Sequence, residues 1–131
     1  MGPDQVIEFP LGLIGLPGTR YALIDRNPGT GFFWLHALED QAVALPVVKP
    51  EQFFASFSLE ISHEDREQTG IEHLDGANVY VTVRASSTPL QLTANLRAPL
   101  VIRSGTGFQV VNTHESALLK APLFTLPPIG S

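Results

Sequence analysis

Apolar and polar residues alternate with a period of two along several short runs of this chain. Val79, Val81 and Val83 alternate with Tyr80, Thr82 and Arg84, and Leu90, Leu92, Ala94 and Leu96 repeat the pattern. Successive side chains of a strand point to opposite faces, so each run predicts a strand with one face on a core. Phe57, Leu59 and Ile61 form a shorter run of the same kind. Residues 32–38 and 42–48 flank Glu39, Asp40 and Gln41 and read as a hairpin. Pro46 removes a ladder donor from its second strand, which predicts an edge or a bulge there. Further strands are expected at residues 5–10, 100–102 and 108–111. Residues 21–24 read as a strand or half a turn of helix, and residues 85–89 and 104–107 as loop and turn.

One stretch has helical signals instead. Ser62 offers a hydroxyl as N-cap, Glu64 and Asp65 place negative charge at the positive end of the helix dipole, and Gly70 suits a left-handed C-terminal cap. Asp65 also stands at the capping-box position. Pro50 to Phe54 fits one further helical turn with proline at its start.

Six to eight strands against one or two short helices predict a mainly β fold with a predominantly antiparallel sheet, closed as a barrel or stacked as a sandwich. Eleven Gly and eleven Pro without a period fit many short elements and turns. At 131 residues the chain suits a single domain over 1–131. The segment from about 120 to 131, with Pro122, Pro127 and Pro128, is expected to be an extended or flexible tail.

Composition narrows the chemistry. There is no cysteine, so neither disulfides nor thiolate metal sites are available. The formal net charge of -5, with eight Lys and Arg scattered along the chain, disfavours direct nucleic-acid binding and favours a basic or neutral partner. No apolar run reaches membrane-spanning length and the N-terminus lacks a secretory pattern, so a soluble cytoplasmic monomer is expected.

The segment "SHEDREQTGIEHLDG" invites a metal reading through His63, Glu67 and His73. The spacing argues against it, because the residue four after His63 is Glu67 and no second histidine shares that helix face. A capped, exposed helix accounts for the same charges. No nucleophile elbow or phosphate-binding glycine pattern is present, and no enzyme, cofactor or metal is expected; a small β-barrel enzyme or ligand-binding module using the His63, Glu67 and His73 region stands as the alternative. Consecutive aromatics, Phe32 with Phe33 and Phe53 with Phe54, would point to opposite faces of a strand. Either both faces are covered, or one ring is left as an anchor for a partner.

In order and spacing, "IEFPLGLIGLPG", "FFWLHALEDQAVALPVVKPEQFF", "LEISHEDREQTGIE", "NVYVTV" and "TANLRAPLVI" resemble the flagellar assembly factor FliW family over most of residues 7–112. That resemblance implies a flattened antiparallel β-barrel in a non-enzymatic cytoplasmic protein. It also implies two partners, flagellin and the RNA-binding translational regulator CsrA, with flagellin secretion freeing the protein to capture the regulator and lift repression of flagellin translation. Arg103, where the family commonly has Asn, and the lack of a Tyr after the last strand are departures.

Within "TANLRAPLVI" the apolar alternation is broken by Asn95, Arg97 and Pro99. Two readings are open: a bulge and corner of the barrel, or polar groups presented to a partner. Candidate protein-binding residues are therefore Phe53, Phe54, Glu64, Asp65, Glu67, Asn95, Arg97 and Pro99.

Overall fold

The alternating runs form the strands expected of them, and hydrogen bonding around a ring closes them into a barrel. The computed structural model describes residues 5–16, 18–25, 29, 31–40, 42–54, 57–70, 77–87, 90–114, 117–118 and 121–125. Its elements are β1 (Gln5–Glu8), β2 (Arg20–Ile24), β3 (Phe32–Ala37), β4 (Ala44–Val48), α1 (His63–Thr69), β5 (Asn78–Ser87), β6 (Leu90–Ala94), β7 (Leu100–Arg103), β8 (Thr106–Gln109) and β9 (Ala121–Thr125). A 3-10 turn, Pro50–Gln52, follows β4 with Pro50 at its start. Strands run β4-β3-β2-β1-β8-β7-β5, and a β4–β5 pairing closes the ring. Among the described residues all pairings are antiparallel except one contact, Glu8 with Thr106, between β1 and β8. The barrel is therefore mixed at that seam.

β5 has 10 residues and outruns the barrel. Asn78 to Tyr80 pair with β7, Val81 and Thr82 with β4, and Val83 to Ser87 with β6, which in turn carries β9. From Tyr80 to Val83 both faces of β5 are covered. Tyr80 enters the barrel core with Ile7, Phe9, Tyr21, Leu35 and Leu100. Val81 and Val83 face a second cluster containing Ala94, Leu96 and Ala117, against which Phe32, Phe53, Phe54 and Phe57 pack. Burial of each large apolar side chain contributes roughly 1.5–3 kcal/mol, so a two-faced central strand is worth more than the same strand on an open sheet.

Several boundaries differ from those the sequence suggests, each for a local reason. Residues 21–24 are strand, because β2 pairs on both edges. β5 continues through Ser86 and Ser87, where a loop was expected, because β6 pairs alongside. β8 starts at Thr106: the turn is only Ser104 and Gly105, both at positive φ (51° and 81°), the geometry of a two-residue hairpin. Residues 57–60 do not form a ladder; only Ile61 bridges to Asn112. In the expected extended tail, residues 121–125 are a strand paired with β6. Residues 126–131 lie outside the described residues.

Candidate functional site

β6 and β7 both pair with β5, through Ala94 opposite Val83 and Leu100 opposite Tyr80. β5 covers that interval in fewer residues than its partner does, and the surplus, residues 95–99, leaves the ladder as a corner. Its polar groups are used at once. Asn95 N–H donates to Thr82 O at 3.0 Å, while Asn95 Oδ1 accepts from Arg97 N–H at 3.0 Å, closing an Asx turn. Arg97 O accepts from Asn112 N–H at 2.8 Å and Pro99 O from Val110 N–H at 3.0 Å. Pro99 is buried and Arg97 exposed. The corner is thus a built element, as the bulge reading expects.

The residue that holds it was not among the candidates. Asn112 is 2% exposed. Its Oδ1 accepts from Glu60 N–H at 3.0 Å and His114 N–H at 3.1 Å, and its Nδ2 donates to Ser58 O at 2.9 Å and Leu96 O at 3.2 Å. One amide ties the corner, residues 58–61 and residues 112–114 together. A buried polar side chain must find partners, and here the partners are backbone groups that lack a regular ladder. The available signal was an Asn between Val111 and Thr113 in a run that otherwise reads as strand.

α1 sits on the other side of the same segment. Asp65 N–H donates to Ser62 Oγ at 3.2 Å, and Gly70 caps the helix at φ 72°. Asp65 does not complete a capping box among the described residues; its Oδ2 accepts from Val111 N–H at 2.9 Å. The carboxylate therefore anchors the helix to the seam that holds the corner. Glu64 and Glu67 are exposed. Glu67 Oε1 lies 2.9 Å from His63 Nε2, one helical turn away. His73 lies outside the described residues, and among these no group of three His, Asp or Glu could hold a metal ion.

Phe53 and Phe54 are not strand neighbours, so the opposite-face argument does not apply to them. They follow the 3-10 turn and pack half-buried on the second cluster, Phe53 edge-on to Phe32 with centroids 5.3 Å apart. The candidates thus separate into groups: Asp65, Arg97 and Pro99 converge on residues 110–112, Glu64 and Glu67 face solvent, and Phe53 and Phe54 support the core under Leu96. The most exposed large apolar side chains among the described residues are Ile14 (79% exposed) and Leu11 (64%), in the loop after β1.

That loop and the corner form the two lips of a cavity of about 600 Å³. Gln109 joins the lips: its Oε1 accepts from Ile14 N–H at 2.9 Å and its Nε2 donates to Ala98 O at 3.2 Å. Leu13, Leu16, Leu45 and Leu100 give an apolar lining, with Asn95 and Arg84 as polar members. Arg84 is the one ionisable group among the described lining residues. Nearer the core, burial pushes the Tyr80 phenol above its ordinary 10.0, and Glu51 and Asp25 push it the same way.

The family model described as FliW protein matches residues 1–123. The flagellar assembly factor FliW of Bdellovibrio bacteriovorus is 31% identical over 125 residues, covering 93% of this chain and 71% of that protein. Its counterpart in Alkaliphilus metalliredigens is 38% identical over 104 residues, covering 77% of this chain and 64% of that protein. A crystal structure of the flagellar assembly factor FliW superposes with a TM-score of 0.77 at 25% identity, covering 92% of this chain and 86% of that one. With a mainly β barrel, one α-helix among the described residues and a match running from the first strand to the last, the chain belongs to the FliW family.

Proposed function

We propose that this chain is a cytoplasmic flagellar assembly factor that works by holding other polypeptides: flagellin on one hand, and a CsrA-type RNA-binding regulator on the other. The observation that carries this reading is the family match over residues 1–123, to proteins whose names state a flagellar assembly role. The surface suits it. Rigid features offered outward are an apolar lip at Leu11 and Ile14 and an acidic helix face at Glu64 and Glu67, both without a partner element in the chain that covers them among the described residues. The acidic face of a chain with net charge -5 favours encounter with a basic RNA-binding protein. Competition between two partners for one binder makes free flagellin control free regulator by mass action.

The test is direct. Purified protein mixed at micromolar concentration with flagellin from its own organism should elute from size exclusion as a stoichiometric complex. Separate elution of the two would remove the proposal.

A further inference from the structure

We infer that the cavity at the split between β4 and β5 is a strand-addition site, which takes an extended apolar polypeptide segment carrying a carboxylate side chain. This deepens the reading of the chain as a polypeptide binder and rests on it.

Two observations specify the occupant. The first is the open backbone. β4 and β5 pair only through Val47 with Thr82 and Val48 with Val81. Before Val47, β4 is paired on one edge only, by β3, and beyond Thr82, β5 is paired on one edge only, by β6, among the described residues. Pro46 stands at the fork and has no N–H with which to continue the ladder. Leu45 on one prong and Val83 and Arg84 on the other line the cavity, so the cavity opens onto unpaired strand edge. The edge of β5 from Val83 to Ser87, which has no proline, is a template for an added strand, whose main chain supplies hydrogen bonds and whose alternate side chains enter pockets. An acyl chain or other amphiphile would use the apolar walls and leave that edge unpaired.

The second is charge. Among the described residues the lining contains one cation, Arg84, and no carboxylate, on a chain whose net charge is -5. Arg84 has no ion pair among the described residues. Asn95 turns its oxygen into the Asx turn and so leaves its NH₂ as a donor at the same cavity. A planar guanidinium and an amide donor beside leucine walls fit a carboxylate flanked by aliphatic side chains. The exposed Ile14 on the lip extends the apolar contact. The acidic helix face would repel the same segment, so the two surfaces select partners of opposite sign.

The test uses the ¹⁵N-labelled full chain titrated with a short capped peptide alternating valine and threonine around one glutamate, with the same peptide carrying lysine instead, and with dodecanoate. The glutamate peptide should shift the amides of Ala44, Leu45 and Val83 to Ala85 and give strand-type cross-peaks to β5. The lysine peptide should bind about tenfold more weakly, the loss expected for one charge-assisted hydrogen bond. Arg84→Glu, an exposed change, should reverse that preference while leaving the melting temperature in place. Unmoved groove amides, equal binding of the two peptides, or binding of dodecanoate alone would overturn the inference. A chain that binds flagellin yet ignores the peptides keeps the proposed function and loses this site; one that takes the peptide at β5 but not flagellin keeps the site and loses the proposed partner.

Discussion

The corner at residues 95–99 and the outer face of α1 both looked like places to meet a partner, yet they handle their polar groups in opposite ways. At the corner, Asn95 Oδ1 and the carbonyls of Leu96, Arg97 and Pro99 all accept hydrogen bonds from the chain itself. On α1, Glu64 and Glu67 project into solvent, Glu67 meeting His63 of its own helix, and among the described residues only Asp65 is tied to another segment, by Val111 N–H. A segment whose polar atoms are satisfied internally is a frame. A segment whose charges are solvated gains little stability from them, and a change there alters recognition more than folding.

The sharpest way to break this contrast is to remove the amide that holds the corner. Asn112→Ala leaves two N–H groups and two carbonyls without their partner, and should cost about 3 kcal/mol, lowering the thermal midpoint by roughly 10 °C or more. A loss no larger than that of an exposed substitution would mean that water replaces the side chain and that the corner is not framed by it. Next in size is Gly107→Ala. A Cβ there would press into the ring of Phe9, which is fully buried, so a loss of about 1–3 kcal/mol is expected in chemical denaturation.

Smaller effects separate the two roles within α1. Ser62→Ala removes the acceptor for Asp65 N–H and should cost about 1 kcal/mol. Glu64→Lys with Glu67→Lys should cost no more than about 1 kcal/mol, through the helix dipole and the lost His63 pair. That double change should slow association with a basic regulator and flatten its dependence on salt, read by stopped-flow mixing at two ionic strengths. Smallest is a pH effect. Burial, helped by Glu51 and Asp25, raises the Tyr80 phenol above 10.0, so its contribution is complete below pH 10. Above that pH the unfolded chain ionises first and stability falls as pH rises toward the folded value. Tyr80→Phe should flatten that alkaline limb in denaturation curves taken on either side of pH 10.

The strand positions and the helix were legible because their signals are local. Valines 79, 81 and 83 alternate, and Ser62 and Gly70 bracket α1 with an N-cap hydroxyl and a left-handed C-cap. The split between β4 and β5 was half legible: Pro46 announced an interrupted ladder, but which neighbour it would lose depends on ring closure by strands distant in sequence. Asn112 was not legible. Its value comes from Ser58, Glu60, Leu96 and His114, which only the fold assembles around it. The opposite-face argument for Phe53 and Phe54 fails for a related reason, since a 3-10 turn sends both rings to one cluster where a strand would divide them.

Competition between partners tests the central claim most directly. A fluorescently labelled CsrA-type regulator bound to this protein is titrated with flagellin while anisotropy is followed. Partner switching predicts that anisotropy falls to that of the free regulator as flagellin saturates the binder. Anisotropy that holds or rises, with all three chains eluting together, would contradict it.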